Sequence, residues 1–516
     1  MPGPVPRYRR HLIPNRKRIN PKLWHWWRVL TAVVLAVAVG GGIWWLPSHL
    51  GCADGLPSSA LWSAGSECVG VSESAYDFGH REFDATLTKI DQQNQAVQDG
   101  TSGCPTGSPV TVGALVALGS SSAGGRSVRE LEGFAAAQAE ANAAGCVHPL
   151  RIRVANMGSG EQAATDVAQR LKDDPDVVAV VGMGVSSQAS AAAADLLARR
   201  PGPVPMVSDV ITAEGFDASG SQGKENVFTS CAASYPHGVG GGYFYRVAYS
   251  NSTQINGLKT YLGRTRPDFI VTPTDLSDPY TCTALSLVKN RYKEVTAVKF
   301  DPVDASTVGV AVQRICGADG PVTAFYTARS IDLGRFIQDI DNADQNGHCS
   351  SRSITLVSTS DANRLLAPEP DPALEGVRKT ALDSKIFTSG KLKLVYSALE
   401  NADSTTNTPQ YQRLAGRMSA YGFPPGDLAD GWAINAYDAL GSITEASQTL
   451  PATQTVTRGQ INASVSGLST VGAGGRISFD AAGDRNGGPA ILRLCPPRDG
   501  RSAFTVRTSA PSCRPD

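Results

Sequence analysis

The residues of this chain that come nearest to chemistry are Gly182-Met183-Gly184-Val185-Ser186-Ser187, which follow a short apolar run and precede a helical pattern. A turn of that kind gathers free backbone N–H groups at the positive end of a helix, so it can receive a carboxylate. The glycines allow close approach, and Ser186 and Ser187 add hydroxyl donors. The competing reading is that a serine here only caps the helix. The turn lacks the lysine or third glycine that a nucleotide-phosphate site uses. HExxH, Walker and GxSxG patterns are absent, and three of the seven histidines fall within the first 49 residues. No catalytic set assembles, and neither a cofactor nor a metal is expected.

The elements around this turn alternate. From residue 110 the strand-like VTVGALVAL is followed by a helical stretch, then RIRVAN, a helix near 161–173, VVAVVG, a helix near 187–199, PMVS and NVFTS. Short apolar runs bounded by Gly and Pro suit parallel strands buried on both faces. A second series, DFIVTP, VTAVKF, VTAFY and SITLVS, repeats the alternation with helices near 281–291, 306–316 and 331–343. Two doubly wound α/β lobes in tandem follow. Helices near 408–420 and 427–448 come next, then two strand-like runs in GRISFDAAGDRNGGPAILRL.

The 516 residues are more than one core usually serves. Lys+Arg and Asp+Glu are equal at 47 each, which leaves no field to draw nucleic acid. The balance is uneven along the chain. Eight cations and no acid lie in the first 28 residues, followed by the uncharged run VLTAVVLAVAVGGGIWWL at 29–46. With the tryptophans before it, residues 24–46 can cross a bilayer as a transmembrane helix, with 1–23 cytoplasmic and the bulk of the chain outside the cell. An uncleaved single-pass anchor and a cleaved signal peptide both fit. Residues 47–107 read as a membrane-proximal neck with one helix carrying Phe83, Leu87, Ile90 and Val97. Ten cysteines without a CxxC pair fit an oxidising compartment. Nearness in sequence pairs Cys52 with Cys68, Cys104 with Cys146, Cys316 with Cys349 and Cys495 with Cys513, leaving Cys231 and Cys282; buried free thiols are the alternative.

Four segments in order, FAAAQAEANAAGC, VVAVVGMGVSSQAS with PMVS downstream, LSDPYTCTA and ISFDAAGDRNGG, carry a resemblance to the type 1 periplasmic binding proteins, in the leucine/isoleucine/valine-binding branch of ABC importers. It covers roughly residues 108–495. ECVGVSESAYDF with KIDQQNQAV also resembles the neck of membrane-tethered actinobacterial members. The resemblance implies two Rossmann-like lobes joined by a three-crossing hinge, with lobe one at 108–231 plus 362–449, lobe two at 232–361 plus 450–495, and a tail at 496–516. It implies that ligand-carboxylate serines sit at Ser186 and Ser187, that Thr212 in SDVIT touches carboxylate and amine, and that Ser120 in the first loop contributes. From lobe two it implies Tyr280 packing on the ligand and Asp361 near the ligand amine. Arg329, beyond another lobe-two strand, would favour a second acid group if it faces the cleft; a solvated surface arginine is the other reading. The implied function is capture of a small amino-acid-like solute by lobe closure, for an ABC permease or a membrane signalling partner. An interaction protein that keeps the lobes and has lost the ligand is the third class.

Overall fold

The structure is a computed structural model that describes residues 52, 60–104, 107–119, 124–143, 145–217, 231, 239–349, 353–369, 371–399, 408–497, 502–508 and 513. The basic tail, the apolar run expected at 24–46, and Ser120 lie outside them. Among the described residues no helix is long and apolar enough to cross a membrane.

Val- and Ala-rich runs with no polar face form sheets covered on both sides, and this chain builds two. The first has the order β1-β2-β4-β3-β5-β6-β7. Its strands are β1 (Leu61–Ala64), β2 (Glu67–Ser72), β3 (Val110–Val116), β4 (Leu150–Asn156), β5 (Val177–Gly182), β6 (Met206–Ser208) and β7 (Phe244–Arg246). Strands β4 to β7 run parallel, while β1 and β2 join antiparallel at the edge. The second sheet contains β8 (Phe269–Pro273), β9 (Thr296–Phe300), β10 (Val322–Tyr326), β11 (Ile354–Ser358) and β12 (Leu392–Ser397), all parallel. The hairpin β13 (Ser469–Gly472) and β14 (Gly475–Ser478) stands apart. Strands β15 (Ile491–Cys495) and β16 (Phe504–Arg507) extend the second sheet antiparallel to β12, giving the order β16-β15-β12-β11-β10-β8-β9. Separate apolar clusters cover the two faces of each sheet, as expected of doubly wound layers.

Several boundaries differ from those expected. The neck at 60–104 is built into lobe one. Phe83, Leu87 and Ile90 are core residues, and the Asn94 side chain exchanges two hydrogen bonds with the Ile152 backbone of β4, at 2.8 and 2.9 Å. The chain leaves lobe one at 247–250, after β7, because Phe244–Arg246 completes the first sheet. It stays in lobe two through β12, whose apolar alternation LKLVYS pairs with β11, so residues 362–399 belong to lobe two. It returns before the helix Pro409–Tyr421. Residues 450–485 remain in lobe one, since Ile461, Val465, Ile477 and Phe479 lie in its core. The last crossing comes at 486–490, so the runs GRIS and AILRL belong to different lobes. The tail adds β16 to lobe two.

Five disulfides join Cys52–Cys68, Cys104–Cys146, Cys231–Cys282, Cys316–Cys349 and Cys495–Cys513. The third of these ties the segment between β6 and β7, both in lobe one, to the lobe-two helix Pro279–Arg291. A polar hub sits beside the first crossing. The guanidinium of Arg246, fully buried, pairs with Asp217 at 2.7 Å and with Asp484 at 2.5 Å, and it donates to the Ala213 carbonyl at 2.6 Å. Beside them the carboxylate of Glu214 accepts from the Ser252 N–H at 2.6 Å, at the start of the first lobe-two helix.

Candidate functional site

A cavity of about 280 Å³ opens between the lobes. Its walls come from loops that leave the carboxyl ends of β4, β5 and β6 on one side and of β8, β10, β11 and β12 on the other, where open parallel sheets collect ligands. Two further segments, the helices Gly124–Ala141 and Trp432–Gln448, bring Arg126 and Trp432 to it. Val185, Val210, Ile331, Leu399 and Trp432 supply the apolar wall.

The turn after β5 is strained and crowded. Gly182, Met183 and Gly184 all have positive φ, a region open to glycine and costly for methionine. The approach the glycines allow is taken by the protein itself. A Cβ on Gly184 would lie 2.1 Å from Glu161 Oε1. Glu161, also at positive φ (59°), places its buried carboxylate in the turn, where it accepts from the Val185 N–H at 2.6 Å and from the Ser187 hydroxyl. Ser187 is at the same time the N-cap of the helix Gln188–Ala198, in a capping box with Ser190. Burial pushes the Glu161 carboxyl up, opposed by the Ser187 hydrogen bond and by Arg126.

Ser186 is not among the residues that line this cavity. Its hydroxyl accepts from the N–H groups of Thr212 and Ala213, both at 3.0 Å, and so fixes the turn after β6. The expected direct contact from Ser186 is thus replaced by a supporting one, because its side chain points into lobe one, where it is buried. Thr212 lines the cavity.

On the lobe-two wall, Arg329 organises the charges. It holds Asp278 through two hydrogen bonds, at 2.7 and 3.0 Å, and lies 3.8 Å from Asp361. Nη2 also donates across the cleft to the Ser186 carbonyl at 2.8 Å, and a second cross-lobe bond joins Gln188 Nε2 to the Ser277 carbonyl at 3.3 Å. Burial would lower the Arg329 pKa, but Asp278 and Asp361 more than offset it, so it is raised. Its guanidinium stacks 4.3 Å from the Tyr280 ring centre, a cation–π contact that covers the ring. The Tyr280 hydroxyl bonds Thr359, and burial raises its pKa. Asp361 accepts from the Ser330 N–H. Arg329 is therefore neither a solvated surface residue nor a free acceptor of acids.

Arg126, Glu161, Arg364 and Trp432 also line the cavity, beyond the residues expected from the sequence. Arg126 ion-pairs with buried Glu130 at 2.9 Å, and Arg364 with Glu369. Trp432 carries Arg129 at 5.9 Å on its ring. Glu161 was open to inference as an acid in the glycine-rich loop just past β4.

No family model matches the chain, and no curated protein matches it. Solved structures do. The branched-chain amino acid substrate-binding protein LivJ of Streptococcus pneumoniae, in complex with isoleucine, is 18% identical, with a TM-score of 0.53 over 77% of this chain and 99% of its own. The leucine-binding protein LivK of Thermotoga maritima is 16% identical, with a TM-score of 0.55 over 77% and 97%. A solute-binding protein of an ABC transporter from Rhodopseudomonas palustris, in complex with 3,4-dihydroxybenzoic acid, is 14% identical, with a TM-score of 0.53 over 78% and 96%. The fold is that of the type 1 periplasmic binding proteins. At these identities the likeness extends to that fold and its two lobes.

Proposed function

We propose that this chain is an extracellular solute-binding protein, held at the membrane by its N-terminal apolar segment, that captures a small polar molecule by lobe closure and catalyses no reaction. The observation that carries the reading is the cavity lined from both lobes at the carboxyl ends of their strands, with an apolar wall and a few convergent polar groups. The solved neighbours, named as the substrate-binding protein of a branched-chain amino acid transporter, a leucine-binding protein and the solute-binding protein of an ABC transporter, support delivery to an ABC-type permease. Amino acids or related carboxylates and amides are the first classes to try. Signalling through a membrane partner uses the same closure, in which ligand stabilises the form that contacts both lobes.

A second reading, an interaction protein without a ligand, is favoured by one observation. Ser187 is committed to Glu161 and the Tyr280 ring is covered by Arg329, so two expected ligand contacts are already made within the protein.

A thermal-shift screen of the full-length protein against amino acids, amines, carboxylates, amides and sugars separates the two. A ligand at about 100 times its Kd adds about 2.7 kcal/mol. A shift from one class, reduced by Thr212→Val and Trp432→Ala, establishes capture. Silence across the panel, from protein shown to be folded and free of copurified ligand, favours the interaction protein.

A further inference from the structure

The cleft turn that would receive a ligand carboxylate already holds one. Its two donors, the Val185 N–H and the Ser187 hydroxyl, point at Glu161. The room a side chain at Gly184 would fill is taken by the same carboxylate. Glu161 is held at positive φ to reach it, a conformation that persists only where the surroundings fix it.

The charges around the cavity point the same way. Three guanidiniums line it, and each has its own carboxylate: Arg126 holds Glu130 at 2.9 Å, Arg329 holds Asp278 at 2.7 Å, and Arg364 holds Glu369. Glu161 and Asp361 are two further carboxylates, one on each lobe, that share guanidiniums already paired elsewhere: Arg126 and Arg329 act on Glu161, and Arg329 lies 3.8 Å from Asp361. An incoming carboxylate at this turn would face Glu161 across a water-poor site, where like charges repel strongly. An incoming cation would meet an acid from either lobe, beside an apolar wall that includes Trp432, whose ring already carries Arg129.

Building on the cleft as a ligand site, we infer that its ligand is a small organic cation, an ammonium or guanidinium compound without a carboxylate at the Glu161 end. Glu161 takes the place of the ligand's acid group and turns the turn after β5 from an anion receptor into a cation receptor. Closure brings Glu161 and Asp361 to the same cation.

The test uses compounds of related carbon skeleton on the full-length protein by titration calorimetry: leucinamide and 3-methylbutylamine as cations, leucine as zwitterion, 4-methylpentanoate as anion. The expected result is that at least one cation binds ten or more times tighter than leucine and 4-methylpentanoate, and that Glu161→Gln reduces its affinity at least tenfold. If that variant does not melt cooperatively, Asp361→Asn carries the same expectation. Leucine or 4-methylpentanoate binding as tightly as both cations overturns the cation class and leaves solute capture standing. No binding by any of the four overturns the cation class at this size, and capture falls with it only if the wider thermal-shift panel is silent as well.

Discussion

Arg329 Nη2, carried by lobe two, donates to the carbonyl oxygen of Ser186 in lobe one at 2.8 Å. One side chain that lines the cavity therefore links the two lobes while it stacks on Tyr280 and pairs with Asp278. A hydrogen bond from a charged donor contributes about 1.5–3 kcal/mol. Arg329→Ala is expected to shift the balance toward the open form by about ten- to a hundredfold, seen as a larger radius of gyration in small-angle scattering. An unchanged radius would mean that other contacts set the lobe angle.

Three buried carboxyls make stability depend on pH. Glu132 is pushed up to about 8 by burial and by Asp427. Asp430 is pushed up to about 7 by burial, against Arg129, and Glu214 to about 7 by burial, against Arg246. In the unfolded chain these groups titrate near 4, so the folded state binds their protons more tightly. Their penalty is absent below about pH 4, grows as pH rises through the window to 7–8, and is complete above it. The melting temperature is expected to fall between pH 5 and pH 8. Glu132→Gln should raise it at pH 8 and leave it nearly unchanged at pH 5, as calorimetric scans at both values would show.

Gly133 lies where the helices Gly124–Ala141 and Trp432–Gln448 touch, and a Cβ there would sit 2.3 Å from the Ala433 carbonyl oxygen and 2.8 Å from the Ala436 methyl. These two helices also carry Arg126 and Trp432 to the cavity. Overpacking of this kind costs about 1–3 kcal/mol, more than alanine's helix preference of up to about 1 kcal/mol returns. Gly133→Ala should lower stability in urea titrations and weaken any ligand that needs Trp432.

Arg246 is fully buried among Asp217 and Asp484. Removing one partner of a buried ion network typically costs about 3–5 kcal/mol, because the remaining charges are left uncompensated. Arg246→Met is therefore expected to destabilise strongly by equilibrium unfolding, and Arg246→Met with Asp217→Asn to recover part of the loss.

Most of the parallel strands were legible because runs such as VVAVVG and VTAFY are apolar and bounded by turn residues, whereas β7 and the helix Asn251–Leu262 were not expected, and the strand expected at NVFTS lies outside the described residues. The crossings were not legible. A strand such as LKLVYS bears no mark of which sheet it will join, and the neck helix shows its apolar stripe without showing that β4 receives it. The turn after β5 could be read, from its glycines and serines, as a place that holds a carboxylate, and it holds that of Glu161. Its occupant could not, because Glu161 lies 21 residues before Gly182 in the chain and only the parallel pairing of β4, β3 and β5 brings the two loops together.

The disulfide Cys231–Cys282 spans a sequence separation of 51 residues, and the first crossing at 247–250 lies inside that span. Backbone and sulfur bridge together form a closed covalent ring that passes through both lobes. A protease cut within that crossing would leave the lobes attached. Reduction of that one bond would open the ring and leave the two lobes joined on that side by backbone alone.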